Sequence, residues 1–278
     1  MDDACERGTP ELVSRDPEGL SLRSIRRDSP GGPAAARNEG WRAAHAPLVV
    51  FMDDDCEVTP GWLEAMLAAA DGAPGAIVQG RVVPNPREVG RLGPFSRSLW
   101  VEEPGPYYQG TNILYPRALL ERLGGFDAEA FPGFYGEDTD LAWRAIEQGV
   151  AVEWAPGALV HHAVFRVGPV ATLRIATRWS QSIQIFRRHP ELREAQLTYR
   201  VFWKGSHYLL FRALLALVLR HRSPLLALWL GAPYARHLLV RGERDGGGPA
   251  AAPFYVVHDL VEMATVLRGA ARHRTLVI

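Results

Sequence analysis

The sequence predicts an α/β protein: an open, mostly parallel sheet over residues 1–165, followed by a helical tail over residues 166–278. Three observations carry this. Leu48-Val49-Val50-Phe51-Met52 is a five-residue apolar run that ends on Asp53-Asp54-Asp55, as a strand buried on both faces does when it reaches the carboxyl edge of a sheet. A second such run, Ala76 to Val83, follows a helical stretch. Beyond residue 165 the pattern turns helical, apolar and basic.

The acids after the first strand invite a cation. In an extended segment side chains alternate, so Asp53 and Asp55 are expected on one side and Asp54 on the other. Two carboxylates held together repel unless a divalent ion lies between them. The competing explanation, that they cap the next helix, is weakened by Thr59-Pro60-Gly61-Trp62, which supplies its own N-cap and N1 proline for a helix from Trp62 to Ala70.

Upstream, Met1-Asp2-Asp3 has no strand before it to hold it, and Leu20 to Ile25 alternates as a short strand would. Gly31-Gly32-Pro33 runs into an alanine-rich helix with Arg37 and Asn38 one turn in, a helix start suited to an anion or a base edge. Pro84 to Gly110 is a long loop with Trp100, Tyr107 and Tyr108, read as an acceptor-side loop. Gly110-Thr111-Asn112 precedes a helix that starts at Pro116 and stops at Gly124-Gly125.

Gly136-Glu137-Asp138-Thr139-Asp140 opens the next helix, which Gly149 closes. Asp138 lies on the apolar stripe with Leu141, Ala142, Ala145 and Ile146, whereas Asp140 pairs with Arg144 at i, i+4 and is expected outside. First-turn acids also satisfy the helix dipole, but that does not account for an acid on a buried stripe. A short strand at Ala151–Trp154, then Pro156-Gly157, leads to His161-His162.

The formal charge of zero hides a split, because residues from His161 onward carry 17 Lys+Arg against 6 Asp+Glu. Nearly all the cations are arginine, with Lys204 the lone lysine. No nucleic-acid recognition motif accompanies them. A basic region interleaved with Leu and Trp suits an anionic membrane surface better. Tyr208–Leu219 and Leu225–Val240 are apolar but interrupted by Arg212 and Arg236, too short for a clean span. Gly246 to Pro249 forms a hinge before a last amphipathic helix, Phe254 to Leu267. Cys5 and Cys56 lack metal-ligand spacing and fit a reducing compartment.

The order of motifs, Gly-Gly-Pro-Ala-Ala-Ala-Arg-Asn-x-Gly, Phe-Met-Asp-Asp-Asp-Cys with Pro-Gly-Trp-Leu, Gly-Thr-Asn with Gly-Gly-Phe-Asp, Gly-Glu-Asp-Thr-Asp-Leu-Ala-Trp-Arg and Val-His-His, resembles the family 2 glycosyltransferases of the GT-A fold over residues 1 to about 190. The resemblance implies that Asp53, with Asp54 beside it, contacts the ribose of a nucleoside diphosphate sugar. Asp55 and Asp53 face Mn²⁺ or Mg²⁺ on the diphosphate, with His161 ahead of His162 as a further ligand. It implies that Arg37 reaches the base of the donor, that Asp3 also faces the base and Asn38 serves the donor, that Gly110 and Asn112 shape the floor between donor and acceptor, and that the catalytic pair is Glu137-Asp138, with Asp138 the base of an inverting transfer. It further implies a cell-surface or polysaccharide glycan, or a lipid-linked one, as acceptor, a peripheral place on the cytoplasmic face of the membrane, and a chain missing the family's first strand and helix. The alternative is an inactive remnant that binds nucleotide or a protein partner. A metal-dependent nucleotidyltransferase would want a lysine-bearing glycine-rich loop, which is absent from the sequence.

Overall fold

Strand β1 (Leu48–Met52) splits its side chains between two cores. Val49 and Phe51 join Trp41, Ile113, Tyr115, Phe126 and Leu141 on one side, while Leu48 and Val50 pack with Met66, Val78, Leu114 and Ala158 on the other. A sheet covered on both faces follows from that alternation. The computed structural model describes residues 1–4 and 22–278, so Cys5 and, in the alternating Leu20–Ile25 stretch, Leu20 and Ser21 lie outside the described residues.

The chain divides into two compact units, one made of Met1–Asp54, Thr59–Arg81 and Glu102–Leu159, the other of Asp55–Val58, Val82–Val101 and Val160–Ile278. Two short segments from the first half of the sequence, Asp55–Val58 and Val82–Val101, thus group with the tail. The elements of the first unit are α1 (Gly32–Ala43), β1, α2 (Trp62–Gly72), β5 (Asn112–Pro116), α3 (Arg117–Leu123), α4 (Glu137–Ile146), and most of β3 (Ile77–Pro84) and β6 (Val152–His162). With β2 (Cys56–Val58), the strands form one five-stranded sheet in the order β1-β5-β3-β6-β2. A further small sheet pairs β4 (Ser96–Arg97) with β7 (Phe165–Arg166).

Several local expectations change. The ladders that β5 makes with β1 and β3, and that β2 makes with β6, are antiparallel rather than mostly parallel; an apolar run carries no information about strand direction. Thr59 does not cap α2, because its hydroxyl donates to the Leu159 carbonyl and Gly61, with φ of 80°, stands at the cap position. Strand β6 runs unbroken through Pro156 and Gly157, both at exposed positions, where a missing N–H costs a strand little. Asp2 is held after all: it is buried, ion-paired to Arg26, and bridged in parallel to that residue.

The tail of the second unit contains α5 (Gly168–Ala176), α6 (Ile185–Arg188), α7 (Pro190–Gln196), α8 (Gly205–Leu219), α9 (Pro224–Arg244) and α10 (Ala252–His273). Leu210, Tyr234, Leu238, Tyr255 and Met263 form its core. By length and composition the stretch Pro249–His273 could cross a membrane. It nevertheless carries buried His258, Asp259 and Glu262, whose partners come from the neighbouring helices. Lys204 Nζ lies 2.7 and 2.9 Å from the two Glu262 oxygens, Arg241 Nη1 donates to Asp259 Oδ1 at 2.9 Å, and Tyr234 Oη donates to Asp259 Oδ2 at 3.0 Å. The three acid and histidine side chains are close enough to share a cation, but Lys204 and Arg241 already balance both carboxylates, so the cluster is a salt-bridge network.

Candidate active site

In the first unit the end of β1, the first turns of α1 and α4, and the residues before β5 converge on one guanidinium. Arg37 donates to Asp53 Oδ1 and to Glu137 Oε1, each at 2.8 Å, with its guanidinium 5.8 Å from the centre of the Phe126 ring. Asp53 Oδ2 accepts from the Thr111 hydroxyl at 2.7 Å. Gly110 lets the guanidinium come this close: a Cβ there would lie 2.9 Å from Arg37 Cζ.

Asp138 is half-buried, and its two oxygens are fixed by backbone donors: Gly110 N–H to Oδ2 at 3.0 Å and Thr139 N–H to Oδ1 at 2.8 Å. Glu137 is 4% exposed, and its Oε2 has no hydrogen-bond partner among the described residues. Burial, reinforced by the neighbouring Asp138 charge, pushes the Glu137 carboxyl up to about 7, and burial likewise raises Asp138 above the usual carboxylate range. Two adjacent acids in partial desolvation, with one guanidinium shared among three carboxylates, hold protons to higher pH than either would alone.

The chain turns at Asp54-Asp55 instead of continuing as an extended segment, so the alternation expected for the three acids fails. Asp54 is exposed on that turn. Asp55 Oδ1 lies 3.5 Å from His162 Nε2, and Arg97 Nη2 stands 3.8 Å from Asp55 Oδ2. The other ring nitrogen, His162 Nδ1, is 2.7 Å from the Ala163 carbonyl. A carbonyl can only accept, so Nδ1 donates to it, and in the tautomer protonated at Nδ1 alone the lone pair of Nε2 is turned toward the carboxylate. Two acceptors facing each other fit a cation between them, and a backbone carbonyl on the far nitrogen is how metal-ligating histidines are commonly oriented. The residues present thus fit a divalent metal.

The register of β2 on β6 pairs Cys56 with His162 and Glu57 with His161, which puts His162 rather than His161 beside Asp55; adjacent side chains on a strand face opposite ways. Asp3 accepts from Gly31 N and Gly32 N at 2.9 Å and pairs with Arg27, at the helix start suited to an anion. Asn38 is buried, with Nδ2 donating to the Phe126 carbonyl and Oδ1 accepting from Phe126 N and Trp41 Nε1. Asn112 is fully buried and ties β3, β6 and α2 together through Arg81 O, Ala158 O and Trp62 Nε1. Both asparagines are spent on the fold. Arg37, assigned to the base, is engaged by Asp53 and Glu137. Asp140 does pair with Arg144, at 2.8 Å, but in the interior rather than outside. Thr111 was not singled out, although it stands within the Gly-Thr-Asn motif.

An α/β sheet with an acid at a strand end and an acid pair at a helix start is the arrangement expected of the GT-A fold. Residues 1–125 match the family model described as Glycosyl transferase family 2. Among curated proteins it is 34% identical over 145 residues to the pre-mycofactocin glycosyltransferase of Mycobacterium tuberculosis, covering 47% of this chain and 30% of the relative. It is 28% identical over 184 residues to the validoxylamine A glucosyltransferase of Streptomyces hygroscopicus subsp. jinggangensis, covering 54% and 43%. The chain thus spans under half the length of these relatives. A solved structure, the mannosyltransferase PcManGT from Pyrobaculum calidifontis in complex with GDP-Man and Mn²⁺, shares the fold with a TM-score of 0.56 at 20% identity, over 98% of this chain and 76% of that one.

Proposed function

We propose that this chain transfers a sugar from a nucleoside diphosphate sugar to an acceptor hydroxyl, with inversion at the sugar carbon and with Mn²⁺ or Mg²⁺ held by Asp55 and His162. The observation that carries the reading is the Asp138 carboxylate, gripped by two backbone N–H groups and raised by burial. A sugar hydroxyl is a weak nucleophile, and a base of raised pKa in hydrogen-bond reach takes its proton more effectively than an ordinary carboxylate. Gly110 and Thr139 fix the direction of the Asp138 lone pairs. Arg37 holds Glu137 and Asp53 in place and offsets part of their charge. Asp53 serves the ribose. The metal, when bound, neutralises charge growing on the leaving diphosphate. The relatives' names support glycosyl transfer, and the resemblance supports a nucleoside diphosphate sugar as donor and a cell-surface or lipid-linked glycan as acceptor.

The test is a thermal-shift panel of nucleotide sugars with Mn²⁺, followed by transfer assays with the responding donor. A ligand at about 100 times its dissociation constant adds about 2.7 kcal/mol of stability. Asp138→Asn is expected to keep that shift and to slow transfer by about 10²–10⁴-fold; Asp55→Asn is expected to lose the metal-dependent shift. Equal donor binding by Asp55→Asn overturns the metal assignment, and a chain that responds to no donor favours a non-catalytic remnant.

A further inference from the structure

The closed end of the α8–α9 hairpin leaves uncovered the side chains that a helical pair ordinarily buries. Leu225 is 83% exposed, Val218 74%, Leu228 66%, Trp229 65% and Leu217 57%. They flank a turn that carries Arg220, His221 and Arg222. Beside them an open groove of about 970 Å³ is lined by apolar Leu225, Leu228, Trp229 and Val240, with Arg212 and Arg236 among its walls. Arg212 donates to the Trp229 carbonyl at 3.0 Å and lies 4.7 Å from its ring centre, so the indole is presented together with a cation. From Gly205 to Gly242 there is no Asp or Glu, while Arg212, Arg220, Arg222, Arg236 and Arg241 all lie in that stretch.

We propose that this hairpin end docks on a bilayer surface bearing anionic lipid. Leu217, Val218, Leu225, Leu228 and Trp229 enter the boundary between headgroups and acyl chains, and Arg220, Arg222 and Arg236 meet the lipid phosphates and anionic headgroups. The charge pattern selects this occupant. Apolar area next to basic residues with no intervening acid is the composition of an interfacial helix. A second copy of the chain would instead bring arginine against arginine, and a nucleic acid would leave the leucines and the tryptophan in water. The inference does not depend on the transferase reading, because none of these residues belongs to that site.

Vesicle flotation of the full chain tests it, with phosphatidylcholine alone and with phosphatidylglycerol added, at low and high salt. The chain is expected to float with the anionic vesicles at low salt and to detach at high salt. Leu225→Ser with Trp229→Ser is expected to lower partitioning about tenfold or more. Arg220→Gln with Arg222→Gln is expected to lower it about fivefold per arginine on anionic vesicles, with little change on neutral ones. All four positions are exposed, so unchanged melting temperatures and donor-induced shifts show that the variants remain folded. Equal binding to neutral and anionic vesicles, or no effect of the Leu225/Trp229 pair, overturns the proposal. So does a wild-type chain that ignores vesicles but is a dimer in light scattering and becomes monomeric with those serines, which makes the surface an interface between copies.

Discussion

The molecule holds two buried charge clusters built from similar parts that behave in opposite ways. In the first unit Glu137 and Asp138 share the neighbourhood of Arg37 with Asp53, and both carboxyls are raised. In the second, burial would by itself raise Asp259 and Glu262, but His258, Arg241 and Tyr234 hold Asp259 below the usual range, and His207 with Lys204 holds Glu262 down at about 2. Burial acts on all four acids; what differs is the number of cations per carboxylate. A cluster that meets every acid with a cation is a clamp, and a cluster left short of cations keeps a proton available near neutral pH. The shortfall marks the chemical site more reliably than burial or acidity does.

The difference predicts opposite pH dependences. Glu262, depressed from 4.5 to about 2, contributes stability that is fully present above pH 4.5 and is lost as the pH falls through 2, on the order of 3 kcal/mol. Urea unfolding of Glu262→Gln is expected to show that amount missing at pH 6 and a flatter profile on the acid side. Glu137, raised to about 7, contributes in the other sense: its stabilisation is complete below pH 4.5 and is lost as the pH rises through 7. Glu137→Gln should flatten the profile between those values. The same slope for both variants would break the comparison.

A smaller effect sharpens what the first cluster rests on. Asn38 joins α1 to the Phe126 backbone with two hydrogen bonds, and Phe126 carries the ring against which Arg37 lies. Asn38→Ala leaves the Phe126 amide and carbonyl unpaired and is expected to cost about 2 kcal/mol in urea unfolding. Wild-type stability would show that the Arg37 clamp does not need this anchor.

How much of this was legible in the sequence depends on whether the signal was local. Strand β1, the acids at its end, the inward Asp138 and the glycine stop after α3 all follow from spacing within a few residues. His162 could not be chosen over His161 without the β2–β6 register, because one residue of slip exchanges the two faces. Asp3 and Asn38 looked like ligand groups because their partners, Gly31 and Phe126, are distant in sequence. The clamp of the second unit draws Lys204, Tyr234, Arg241, Asp259 and Glu262 from nearly sixty residues of apolar helix, where each reads singly as an interruption. Antiparallel β5 was hidden because a strand's composition does not record its direction.

The finest separation of the two clusters is kinetic. If Asp138 takes the acceptor proton, transfer must fall on the acid side with an apparent pKa that belongs to the Glu137–Asp138 pair. Glu137→Gln removes the group that titrates at about 7 beside Asp138, so the acid limb of kcat/KM is expected to move to lower pH. Donor affinity need not change, since the glutamine amide occupies the same space. Glu262→Gln should leave the limb where it is, because its cluster touches no reacting group. An unmoved limb in Glu137→Gln would mean that the proton leaves by another route, and the shortage of cations around Arg37 would then be a feature of folding rather than of chemistry.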